Sequence, residues 1–158
     1  MMAKLPIRRG RGGAVVVELP EAVRLFVRGT AEAYRDLLRS EEAADDPAVA
    51  RLSPTAYVDD PLRDIAYDER RAETLEQGRF EAIETVLRTV DAERLTDEEA
   101  DAWMRTCNDV RLVLGTRLAV TEESTPEDFG SDPATSGTFE HYALLSELVQ
   151  LLVEARRA

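Results

Sequence analysis

One cysteine, one histidine and one tryptophan stand in 158 residues, and each scarcity closes a class of function. With Cys107 alone, no intramolecular disulfide forms and a redox switch built on a thiol pair is out of reach. A lone thiol suits a reducing compartment. His141 has no second histidine and no cysteine cluster to join, so the ligand spacing of a zinc site is missing. The Glu-x-x-His pairs of a ferritin-like di-iron centre are missing as well. Gly10-Arg11-Gly12-Gly13 is too short for a phosphate loop and leads into a strand rather than a helix. There is no nucleophile elbow, and the acidic stretch over residues 121–132 lacks the spacing of a calcium loop. The chain therefore reads as non-enzymatic, with no metal and no cofactor. Apolar runs are equally short. None approaches the ~20 residues of a membrane span, and the run over residues 14–17 falls short of a signal peptide's hydrophobic region. The expectation is a cytoplasmic protein that does not engage a membrane.

Basic residues are outnumbered, 20 Lys and Arg against 32 Asp and Glu, for a formal net charge of −12. The imbalance is uneven. Residues 1–13 carry Lys4, Arg8, Arg9 and Arg11 and no acid. Arg24, Arg28 and Arg35 recur on one stripe of the first predicted helix and, with the N-terminal four, form a candidate anion-binding patch. Two features oppose it. Glu21 and Glu32 stand within a turn of these arginines. The field of the whole chain also repels phosphate backbones. Direct DNA binding is thus available but disfavoured.

What is present is ample material for a core. The apolar fraction is 44%, and a chain of this length buries roughly 70% of its unfolded surface. We read one domain over 1–158: a basic arm and β-hairpin over 1–19, an acidic loop over 121–135, and helices elsewhere. The class is mainly α, a helical bundle of about four to five helices with a short N-terminal β-hairpin. Two short runs flank the glycines, the second β-branched, which predicts the hairpin. Pro20 then suits a first helical position, and helical periodicity continues to Ser40 through Ala22, Val23, Phe26, Val27, Ala33, Tyr34, Leu37 and Leu38. Pro47, Pro54 and Pro61 mark a loop-rich region pinned by Leu52 and Tyr57. A second long helix is expected from Arg63 to Val90, with Ala72, Leu75, Ile83, Val86, Leu87 and Val90 as its stripe; Gly78 implies a bend or a closely packed neighbour. Thr96 with Glu99 three residues on is a capping box, opening a helix to about Val120. The last helix, from Ser136 or Thr138 to Arg156, is apolar almost all round, as expected of a central helix or of one shared with a second subunit.

On the capped helix, Cys107, Val110, Leu114 and Leu118 lie within about 60° of Trp103, and Arg111 falls inside the same apolar sector with Asn108 at its border. A guanidinium there is either half of a structural ion pair or the organiser of a polar site with Asn108. Arg117 lies at the other edge of the sector. Asp109 and Arg105, four apart, read as an exposed pair on the opposite face. Asn108, Asp109, Arg111 and Arg117 are thus the polar-site candidates. Cys107 is the redox candidate, either an inert buried thiol or one activated by Arg111 a turn away.

The segment Trp103-Met104-Arg105-Thr106-Cys107-Asn108-Asp109-Val110-Arg111-Leu112-Val113-Leu114-Gly115-Thr116-Arg117-Leu118-Ala119-Val120-Thr121-Glu122 resembles the signature of an actinobacterial domain-of-unknown-function family. Genes of that family often neighbour the gene of the ClpS protease adaptor, and some members carry a transcriptional or oxidative-stress regulator label. Leu52-Ser53-Pro54-Thr55-Ala56-Tyr57 with Asp59-Asp60-Pro61 is similar to the family's middle, and its Asn-Asp-x-Arg pattern matches Asn108, Asp109 and Arg111. The resemblance implies a small helical fold with no enzymatic activity. Together with the residues it leads us to expect a regulatory or protein-interaction protein, a homodimer with a possible further protein partner. The alternatives are a DNA-binding regulator using the basic arm and a small-molecule sensor with a polar site at Asn108 and Arg111.

Overall fold

A computed structural model describes residues 5–50, 52, 76–130 and 132–158. Lys4, the proline-marked stretch with Pro54, Tyr57 and Pro61, and the expected start of the second long helix at Arg63 with Ala72 and Leu75 lie outside the described residues. In chain order come β1 (Ile7–Arg9), β2 (Val15–Val17), α1 (Glu21–Arg39), a single turn α2 (Pro47–Ala50), α3 (described over 76–89), β3 (Arg94–Leu95), α4 (Asp97–Leu118) and α5 (Pro133–Arg157). The mainly helical class and the N-terminal hairpin agree with the sequence reading.

The hairpin pairs Ile7 with Val17 and Arg9 with Val15, antiparallel. Its turn passes through Gly12 and Gly13 at φ 75° and 81°, a left-handed conformation that side chains with a Cβ resist. No pattern of residues announces β3, a two-residue strand that pairs Leu95 with Val15 on the other edge of β2. β2 is therefore central, and Val15, Val16 and Val17 are all buried. A continuous apolar run suits a strand covered on both faces.

Pro20 caps α1 from outside rather than opening it. The buried face of α1 is Val27, Ala31, Tyr34 and Leu38, with Val23, Phe26 and Leu37 packed beside it; the predicted face holds except at Ala22 and Ala33, which stand in solvent. The arginine stripe runs beside Ala31, so it faces the rest of the protein instead of water. Arg24 is its anchor. Nε donates to the Leu19 carbonyl at 3.1 Å, Nη1 to those of Val90 at 2.6 Å and Ala92 at 2.9 Å, and Nη2 to that of Val17 at 2.9 Å. One planar fork thus satisfies carbonyls at the exits of β2 and α3.

α4 opens with the predicted capping box: Glu99 N–H donates to Thr96 Oγ1 at 3.1 Å and Thr96 N–H to Glu99 Oε1 at 2.8 Å. It ends two residues before the predicted limit, because Ala119 turns left-handed at φ 54° and folds Val120 back to donate to the Gly115 carbonyl at 2.9 Å. Trp103, fully buried, donates its indole N–H to Thr89 Oγ1 at 2.8 Å, tying α4 to α3. α5 begins at Pro133, three residues earlier than the first predicted start, because Asp132 caps it by accepting from Thr135 N–H. It packs along α4 and across β1 and β2, burying Leu145, Leu148, Leu151, Leu152 and Ala155. Its surplus of apolar residues is thereby met by a central place in the chain's own core. The acidic loop is anchored rather than wholly solvated: Phe129 is buried and stacks on Phe139, ring centroids 4.7 Å apart.

Arg24→Met keeps the aliphatic stem and removes the donor from the Leu19, Val90 and Ala92 carbonyls, while Val17 keeps the Leu19 N–H. At ~1 kcal/mol per hydrogen bond, stability should fall by roughly 2–4 kcal/mol. Urea denaturation followed by circular dichroism measures it, and an unchanged midpoint would mean water serves the carbonyls equally well.

Candidate functional site

The four polar-site candidates of α4 separate into three places. A helix turns about 100° per residue, so Asp109 and Arg111 project roughly 160° apart. Asp109 faces α1 and α3 and is not the exposed partner of Arg105 that its spacing predicted. Its side chain is 14% exposed, accepts a hydrogen bond from Tyr34 Oη at 3.1 Å, and stands 3.5 Å from Arg79 Nε. Arg79 also donates to the Leu52 carbonyl. Burial raises the Asp109 carboxyl above its ordinary range, against the pull of Arg79, and with the neighbouring Asp109 charge it raises the Tyr34 phenol as well. This buried Tyr–Asp–Arg network joins three helices. The same helical-wheel reasoning would have found Arg79, because it shares a stripe with Ile83, Val86 and Val90. Arg105 lies over Gly78 instead, its Nη1 2.7 Å from where a Cβ would sit, which is the close neighbour that the glycine implied.

Arg111 faces the other way, toward the start of α5. Nη2 donates to Asn108 Oδ1 at 2.6 Å, so these two candidates do meet. Nε is buried without a hydrogen-bond partner, and among the described residues no carboxylate reaches the guanidinium. Beside it opens a recess of about 200 Å³ lined by Arg111, Leu112, Gly115, Thr116, Val120 and Tyr142. Gly115 admits the Tyr142 ring against α4: a Cβ there would stand 3.2 Å from Tyr142 Cε2. The left-handed Ala119 brings Val120 over the end of the recess.

Arg117 belongs elsewhere. Its Nη2 lies 2.9 Å from Asp46 Oδ2. It edges a separate cavity of about 220 Å³ among α1, α4 and α5, walled by Leu37, Val110, Val113, Leu114 and Leu145, with His141 at the rim. Cys107 is buried, and desolvation pushes its thiol up to about 12. Arg111, turned toward Asn108, does not offset that shift, so the redox candidate sits as a buried packing residue with its thiol protonated. The proposed anion-binding residues do not form a patch. Arg8 pairs with Glu18, Arg28 with Asp91 and Arg35 with Glu84. Arg9 pairs with Asp97 at 2.7 Å and donates to the Arg156 carbonyl at 3.0 Å. Arg24 is held by carbonyls, and Arg11 alone of the described set lies exposed without such a partner. Among the described residues no group of His, Cys, Asp and Glu is placed to hold a metal ion, and no helix is long and apolar enough to cross a membrane.

A family model described as a domain of unknown function, DUF2017, matches residues 4–156. The chain belongs to that family. No curated protein and no solved structure matches it. The DUF2017 match spans the sheet, all five helices and both faces of α4.

Two measurements follow. Native protein should resist alkylation of Cys107 by iodoacetamide near pH 8, while the urea-unfolded chain reacts at once; rapid labelling of the native form would contradict the buried thiol. Acid should weaken the fold through paired carboxylates. Asp46, beside Arg117, and Asp97, beside Arg9 and Arg156, are held below the ordinary 3.8. Their contribution is complete above that value and is lost as pH falls through the lower folded-state values. Asp109 has the opposite sign, losing nothing on protonation. Asp97→Asn should therefore lessen the fall in stability below about pH 4, read from denaturation midpoints across pH; a curve parallel to the wild type would exclude Asp97.

Proposed function

We propose that this DUF2017 protein is a non-enzymatic regulatory protein of the cytosol that senses a small ligand at Arg111 and Asn108 and passes the signal to a protein partner. The observation that carries this reading is the state of the Arg111 guanidinium. Six other partly or fully buried arginines are matched within the chain: Arg24 by four carbonyls, Arg9, Arg28, Arg35 and Arg156 by carboxylates, and Arg79 by Asp109. Arg111 touches one neutral oxygen and borders a recess. A half-buried charge without a counter-charge opposes folding, and such groups are retained where a site uses them.

Leu112 supports the partner half of the proposal. It is 44% exposed, one of two large apolar side chains left so among the described residues, and it rims the recess. A surface contact there, from a second copy or another protein, would adjoin the ligand. A stress-response role connected with transcription, and a genetic neighbourhood shared with the ClpS adaptor, belong to the same reading. Direct DNA binding gains little support, because of the described arginines it needs all but Arg11 are engaged within the chain.

Stability separates a site arginine from a structural one. Arg111→Met keeps the stem's packing and removes the charge; the melting temperature should hold or rise. Arg79→Met breaks a buried pair and should cost roughly 3–5 kcal/mol. Thermal and urea denaturation of both variants give the comparison, and a loss for Arg111→Met as large as that for Arg79→Met would return Arg111 to the structural class.

A further inference from the structure

We infer that the recess between the end of α4 and the start of α5 binds a small organic monocarboxylate, its carboxylate on Arg111 and its apolar body against Leu112, Val120 and Tyr142. The inference rests on the site reading above and adds the ligand's class. Charge comes first. Among the described residues the lining holds one cation and no acid. A guanidinium presents a planar fork of donors that matches a carboxylate. One Nη2 hydrogen is engaged by Asn108 Oδ1, which fixes the plane of the fork; Nε is buried, so the ligand's carboxylate would take the free Nη hydrogens.

Valence comes second. The chain carries −12 overall, and a single arginine balances one negative charge. A phosphate dianion would keep its second charge inside an already negative field. Shape comes third. At about 200 Å³ the recess lies below the roughly 300–1,000 Å³ of sites for drug-sized ligands, so it admits one ring or short chain. The lining is mixed, so it offers carbon contacts beside the cation: Leu112, Val120 and the Tyr142 ring stand with Arg111 and Thr116, and Tyr142 lies close because position 115 is glycine. The neighbouring cavity beside Arg117 lacks this combination, since Asp46 already neutralises its cation.

The test is a titration of the full-length ¹⁵N-labelled protein at constant ionic strength and pH with four probes: benzoate, acetate, benzamide and inorganic phosphate. Benzoate should give saturable amide shifts centred on Leu112, Gly115 and Thr116. Acetate should bind more weakly for lack of an apolar body, and neutral benzamide should leave these amides in place. Arg111→Met should weaken benzoate at least about tenfold, or 1.4 kcal/mol, while Gly78→Ala, remote from the recess, should not. Phosphate binding at these amides without benzoate binding overturns the monocarboxylate class. So does benzoate binding that persists in Arg111→Met, or no shift with any probe. If Arg111→Met is nevertheless as stable as wild type, the site reading survives the loss of its ligand class. If that variant is destabilised as Arg79→Met is, the site reading itself fails.

Discussion

The carbonyl oxygens on which Arg24 closes are the constraint around which the fold is arranged. The exits of β2 and α3 leave backbone acceptors that neither the sheet nor the helix can satisfy. In a half-buried seam such acceptors each cost free energy if left bare. A single guanidinium from the first turn of α1 reaches four of them. Because it binds Val17 and Val90 together, it sets where the central strand ends relative to α3. That in turn fixes the approach of β3 and the start of α4 at Thr96. The rest of the arginine stripe continues the seam, with Arg28 on Asp91 and Arg35 on Glu84. What resembles a surface patch of positive charge in the sequence is the joint between two helices.

This explains what could and could not be read from residues alone. Features whose cause is local were legible. Thr96 and Glu99 satisfy each other within one turn, the glycines must carry the hairpin, and three consecutive valines need cover on both faces. Features decided by a partner distant in sequence were not. Nothing near Arg24 announces that carbonyls some seventy positions away need donors. Asp109 looked solvent-facing because Arg105 stands one turn before it, yet Tyr34 and Arg79 claim it from two other helices. The predicted face of α1 holds except at its alanines: with the arginines turned inward, Ala31 is buried while Ala22 and Ala33 are not. β3 is two residues long, too short for any alternation to register. At the candidate site, Asn108 and Arg111 were legible as neighbours on one helix. The Tyr142 wall and the reversal at Ala119 were not.

The two guanidiniums that flank α4 show how one chemistry serves two ends. Arg79 lies in a buried network whose carboxylate and phenol restrain each other, and its removal strands a charge in the interior. Arg111 sits beside α5 with a lone amide oxygen for company. An acidic chain has carboxylates to spare, so leaving one cation uncompensated is a matter of placement and not of supply. DUF2017 membership covers nearly the whole chain, whereas the reading of Arg111 comes from this chain's own geometry.

The contact between Arg9 and the Arg156 carbonyl spans 147 positions. The hairpin emerges from the ribosome well before the helix that covers β1 and β2. Until α5 arrives, three buried valines and an unsheltered strand edge must wait in the open. The core is complete only once α5 has been made, so its assembly waits on a contact that spans nearly the whole of this sequence.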